Sequence, residues 1–76
     1  MNIKVLFEGV FLGVKENKTE KGTYFNISLE CNDECGTVSC TKEVCDIAKG
    51  LKKYSPYQFE GVYNTNYKNM RVVGVV

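Results

Sequence analysis

Ile3, Val5 and Phe7 alternate with Lys4 and Glu8, with Leu6 off the pattern, and after Gly9 the apolar run resumes through Val10-Phe11-Leu12-Gly13-Val14. Alternation with period two is the mark of a strand with one face buried, and a glycine inside it marks a bend or bulge. The pattern predicts one long, sharply curved strand, or two short ones, over residues 3–14. Lys15 to Gly22 (KENKTEKG) is polar and ends in glycine, so it reads as a hairpin loop. Thr23 to Cys31 alternates cleanly, with Phe25, Ile27 and Leu29 on the core face and Tyr24, Asn26, Ser28 and Glu30 on the other. Asn32 to Gly36 reads as a turn, and Thr37 to Lys42 as a short third strand with Val38 and Cys40 on one face.

The period then changes. In Glu43 to Leu51, the residues Val44, Ile47, Ala48 and Leu51 fall at i, i+3, i+4 and i+7, one stripe of a helix of about two turns. Thr41 is placed to cap it, Glu43 suits its positive end, and Gly50 weakens its last turn. Pro56 restarts extended chain. Tyr57 to Asn64 places Tyr57, Phe59, Gly61 and Tyr63 on one side of a fourth strand, Asn64 to Asn69 is a polar turn containing Tyr67, and Met70 to Val76 is a fifth strand apolar enough to be covered on both faces. The order β-β-β-α-β-β predicts a mostly β fold over residues 1–76. The expected architecture is a five-stranded, partly open Greek-key barrel of OB-fold type, with one short helix between strands three and four. An SH3-like barrel is the main competitor, although it more often lacks that helix.

Seventy-six residues make one small domain with little room for a separate catalytic pocket. There is no histidine and no glycine-rich phosphate loop, so an enzyme is not expected, and no cofactor is implied. No apolar stretch is long enough for a transmembrane helix, and Met1-Asn2-Ile3-Lys4 does not start a basic-then-apolar leader, so the cytoplasm is the expected location. The net charge of +1 says little about partners, but its distribution is uneven. Residues 31–46 carry Lys42 against Asp33, Glu34, Glu43 and Asp46; residues 47–76 carry Lys49, Lys52, Lys53, Lys68 and Arg71 against Glu60. Any anion-binding surface is therefore local.

The four cysteines are spaced Cys31-x3-Cys35-x4-Cys40-x4-Cys45. A zinc site wants two close Cys-x2-Cys pairs, and neither pair has that spacing, which leaves a zinc-stabilised module as a third and weaker reading. Cys40 and Cys45 sit beside apolar positions and read as buried thiols. Cys31 and Cys35 straddle a turn, and either a disulfide or two reduced thiols fits.

The chain resembles the small OB-fold single-stranded DNA-binding proteins of phages and mobile elements, in plan the filamentous-phage helix-destabilising proteins. The resemblance is carried by the start MNIKVLFEG, by the glycine- and lysine-containing first hairpin running into Tyr24-Phe25-Asn26-Ile27-Ser28-Leu29, and by the C-terminal third. There, Tyr54-Ser55-Pro56-Tyr57 leads into a strand, a polar hairpin with Tyr67 and the terminal strand Met70-Arg71-Val72-Val73. The cysteine-containing, acidic stretch Cys31 to Cys45 has no counterpart in that pattern. The resemblance implies a sequence-independent binder of single-stranded DNA, acting in replication and forming a homodimer.

The residue types agree with that implication. An unpaired strand is held by cations along its phosphates and by flat side chains under its bases. Lys15, Lys18 and Lys21 in the first hairpin, Tyr24 just after it, and Tyr67, Lys68 and Arg71 around the last supply both, with Tyr63 between them. Plain alternatives exist for each: a solvated lysine–glutamate tip, a tyrosine packed under a loop, an incidental exposed tyrosine at a turn. RNA is an alternative ligand. A small β-barrel protein-interaction module that binds no nucleic acid is the alternative function, favoured by the low net charge.

Overall fold

The computed structural model describes all residues, 1–76. Five strands and one helix follow in the order β1 (Asn2–Thr19), β2 (Gly22–Cys31), β3 (Glu34–Cys40), α1 (Lys42–Ala48), β4 (Pro56–Asn64) and β5 (Asn69–Val75). The mostly β, five-stranded composition with one short helix between the third and fourth strands is as the hydrophobic pattern predicts.

Pairing runs β1-β2-β3-β5-β4, and β4 returns to β1, so the sheet closes on itself. All pairs are antiparallel except β3–β5, which is parallel and brief, Ser39 opposite Arg71 and Cys40 opposite Val72. β1 serves two partners. Asn2 to Val10 pairs with β4 and Val10 to Thr19 with β2, with a break in register between Phe11 and Gly13. One extra residue there lets the strand turn from one partner to the other without turning its core side chains outward. The bulge lies at Leu12, not at Gly9 where the first glycine interrupts the apolar run. Gly9 is needed for a different reason: a Cβ there would lie 3.0 Å from the Cys31 sulfur and 3.4 Å from the Glu30 carbonyl oxygen.

The core follows the registers. Phe25, Cys40, Val72, Gly61 and Val5 are partners in succession around the closed sheet, and this row faces its inside. Phe11, Ile27, Leu29, Phe59 and Val72 are buried, and Phe7 lies 5.7 Å from Phe59, ring centre to ring centre. The helix contributes Val44, Cys45 and Ala48, so it plugs one end of the sheet. Thr41 caps it as expected, its Oγ1 accepting from the Val44 N–H at 3.2 Å.

Four expectations are corrected. The polar stretch from Lys15 is not a loop: β1 continues to Thr19 and only Glu20-Lys21 form the turn. Its charges mimic a loop because this part of β1 projects beyond the core, and Phe25 on the facing strand is the one side chain of the pair that packs inward. The third strand starts at Glu34, since Asn32 and Asp33, with φ of 52° and 65°, make a two-residue turn of the left-handed kind that Asn and Asp tolerate. The helix ends at Ala48, and its buried stripe takes Cys45 in place of Ile47, which is 51% exposed. The last strand is covered less than its composition suggests, with Val72 buried and Val73 and Val75 half-buried. Tyr57 does pack against the core, its hydroxyl accepting from the Lys52 N–H at 2.9 Å, while Tyr54 is exposed.

No helix is long and apolar enough to cross a membrane.

Phe59 is wholly buried where the β4 face meets β1, so Phe59→Ala should cost about 3–5 kcal/mol in urea unfolding. A loss under about 1 kcal/mol would show that the core does not depend on this ring.

Candidate nucleic-acid interface

The residues that face outward fall into rows set by the same registers. Lys15 pairs with Asn26, Asn26 with Ser39, Ser39 with Arg71, Arg71 with Val62, and Val62 with Lys4. Because paired residues present their side chains to the same side, this is one continuous outer row crossing every strand. Tyr24, opposite Asn17, stands on the same face two residues along β2 from Asn26, and is 53% exposed. Ser28 and Thr37 follow on its other side, their hydroxyls 3.0 Å apart.

Arg71 also lines an open cleft of about 400 Å³ beside the β4–β5 turn, with Ser39, Val62, Tyr67, Asn69 and Val73 among its walls. Asn64 builds that turn. Its side-chain oxygen accepts from the N–H groups of Asn66 (2.9 Å) and Tyr67 (3.0 Å), and its amide donates to Asn2 Oδ1 at 2.9 Å. A side chain that mimics a backbone turn in this way holds the loop without a core. Tyr67 is left 78% exposed at the cleft's edge, and Lys68 follows with φ of 52°.

The structure thus brings Lys15, Tyr24 and Arg71 to one outer face, and Tyr67 to the cleft that Arg71 shares. Lys21 sits in the turn of the first hairpin and Lys68 in that of the last, both exposed. Two of the sequence candidates lie elsewhere. Lys18 pairs with Thr23, on the opposite side of the hairpin from Tyr24. Tyr63 belongs to the inner row of β4 with Phe59 and Gly61, half-buried between Ile3 and Met70. Asn26, Ser39 and Asn64 were not singled out by sequence reasoning. Alternation places Asn26 outward, but which strand faces it depends on register, and the side-chain bonds of Asn64 are invisible until the turn is built.

Charge on this face is partly committed. Lys4 makes an ion pair with Glu60 at 2.8 Å, and the hydrogen bond and the carboxylate charge together raise its pKa above the ordinary lysine value. Lys15, Lys18, Lys21, Lys68 and Arg71 make no salt bridge, so their charges are available to an anion.

The cysteines are not gathered. Cys31 and Cys35 pair with Glu34 and Glu30 respectively, which puts them on opposite faces of the β2–β3 hairpin, and all four thiols are free. The Cys31 thiol donates to the Glu8 carbonyl at 3.6 Å. Cys40 and Cys45 are buried at the far end of β3, and no three potential metal ligands come together. Burial, and then the neighbouring Cys45, push the Cys40 thiol up from 9.0 to about 11.

In comparison with known proteins, the chain matches no protein-family model and no curated protein.

Two outcomes follow for the thiols. Under native conditions iodoacetamide should label Cys35 first and leave Cys40 and Cys45 unlabelled, as read by peptide mass spectrometry; early labelling of Cys40 would contradict its burial. Because the unfolded Cys40 thiol ionises near 9.0 and the folded one near 11, its contribution to stability is complete below pH 9 and is lost as pH rises toward 11. Thermal unfolding of Cys40→Ala and of the parent protein across that range should show the parent falling more steeply.

Proposed function

We infer that the protein is a binding domain for single-stranded nucleic acid, with single-stranded DNA as the proposed ligand and with no catalytic role. The observation that carries this reading is the outer row Lys15–Asn26–Ser39–Arg71 with Tyr24 beside it, a set of unpaired cations and polar groups next to an exposed ring on one face of a closed sheet. A strand laid across that row meets cations at its phosphates, amide and hydroxyl groups along its sugars, and Tyr24 and Tyr67 as surfaces for its bases. These are the two contributions that sequence-independent binding needs. Lys21 and Lys68 extend the positive charge into the flanking turns.

The strand order and the helix between β3 and β4 support assignment to the OB-fold, a five-stranded Greek-key sheet that uses this outer face and the β1–β2 and β4–β5 loops to bind oligonucleotides. With the likeness to phage and mobile-element proteins, that supports a role in coating DNA during replication in the cytoplasm. A chain of 76 residues spans few nucleotides, so coating would be done by dimers or longer arrays.

A protein-interaction module is the second reading. A shallow recess of about 200 Å³ lined by Phe7, Leu29, Cys31, Val38 and Met70 favours it, being apolar and uncharged except at Glu34.

Fluorescence anisotropy with labelled oligo(dT), in a salt series and against duplex DNA, tests the first reading. Binding should prefer the single strand and weaken with salt. Tyr24→Ala should weaken it roughly 5- to 150-fold, the worth of one stacked base. Arg71→Gln should lower the salt slope by about 1, whereas Lys52→Gln in the α1–β4 connection should leave it unchanged. Folded protein that binds no oligo(dT) at low salt would transfer the case to the interaction module, and equal effects of Arg71→Gln and Lys52→Gln would remove the outer row from the site.

A further inference from the structure

The β1–β2 hairpin outruns the rest of the sheet. Pairing of β1 with β4 ends at Val10 opposite Pro56, and the last backbone bonds on that side are Phe11 N–H to the Ser55 carbonyl and Tyr54 N–H to the Phe11 carbonyl. From residue 14 to 19, β1 has β2 on one side and no strand on the other. Alternate residues of such an edge direct their N–H and C=O groups away from the sheet, and the edge is a template for another strand.

Proteins often blunt an edge with charge, and a run of lysines would do so here. Instead the signs alternate, Lys15-Glu16-Asn17-Lys18, all but the half-buried Asn17 exposed. This sequence is complementary to itself. In an antiparallel pair the facing residues either both direct their backbone groups across the junction or both direct them away, so a symmetric contact between two copies is centred on a residue. Centred on Asn17, Glu16 of each copy faces Lys18 of the other and Lys15 faces Thr19. Centred on Glu16 or on Lys18, that residue faces its own copy, carboxylate to carboxylate or ammonium to ammonium. Opposite charges directly across a ladder stabilise it and like charges destabilise it, so one register is selected.

We propose that residues 14–19 of β1 form an antiparallel interface with the same residues of a second copy, in the register centred on Asn17. Two hairpins then join as one four-stranded sheet, β2-β1-β1-β2. Asn17 lies on the same side of the hairpin as Lys15 and Tyr24, and that side continues from one copy to the next. The interface is independent of what the outer face binds.

Sedimentation equilibrium without nucleic acid tests it, with circular dichroism to show that each variant is folded. The parent protein should be a dimer. Glu16→Lys sets lysine against Lys18 in both contacts and should weaken the dimer roughly tenfold or more. The exchange Glu16→Lys with Lys18→Glu restores both contacts and should restore the dimer. A parent protein that stays monomeric, a dimer indifferent to Glu16→Lys, or a double variant that remains monomeric would each overturn the proposal. None of these measurements involves oligo(dT), so failure here leaves the nucleic-acid reading where its own test puts it.

Discussion

An eighteen-residue strand that pairs with β4 along its first half and with β2 along its second cannot remain flat. β1 meets that constraint with the extra residue at Leu12 and with Gly9, where any side chain would run into Cys31 and Glu30. Everything else hangs from it. The turn of β1 carries β2 away from β4, and β3 follows β2 until it reaches β5. The sheet then closes over only two parallel pairs, Ser39 with Arg71 and Cys40 with Val72. So short a seam contributes little by its own hydrogen bonds. What holds it is the apolar material behind it: Cys40 and Val72 are buried in the seam itself, and Val44, Cys45 and Ala48 of the helix close the end below.

The same geometry produces the candidate site. When a sheet closes, its inner rows must be apolar and its outer rows become a continuous belt. The row holding Phe25, Cys40, Val72 and Gly61 makes the core, and the next row out holds Asn26, Ser39, Arg71 and Val62. Arg71 and Val72 are neighbours in the chain with opposite tasks. Both are positioned by the brief β3–β5 contact, so the element that completes the core also sets the cation beside Ser39. The β4–β5 turn is held differently, by the side chain of Asn64 and not by burial, which leaves Tyr67 in solvent at the cleft.

The hairpin that projects past the core is the least self-sufficient part of the molecule. Its tip has two strands, one neighbour each, and only Phe25 packed inward, and an isolated two-stranded ribbon is marginal in water. Its free edge, its alternating charges and its exposed Tyr24 are all left without partners inside the chain.

Much of this was legible in the chain. Clean alternation in Thr23 to Cys31 assigned Phe25, Ile27 and Leu29 to the inside and Tyr24 and Asn26 to the outside, because a strand offers only two faces. The change of period after Thr41 located the helix, and Thr41 itself is its cap. Local pattern failed where a residue's surroundings are made by distant parts of the chain. Lys15 to Thr19 looks like a loop since nothing is buried there, yet β2 pairs with it as strand. Cys45 displaces Ile47 from the buried stripe because the helix is so short that its docking against the sheet, and not its period, chooses the face. Tyr63 shares its strand face with Phe59, which the sequence does show, but only the ring of pairings shows that this face is turned away from Arg71. Alternation determines on which side of a strand a residue lies. Register decides which residues it stands beside, and register is fixed by contacts between segments as far apart as Asn26, Ser39 and Arg71.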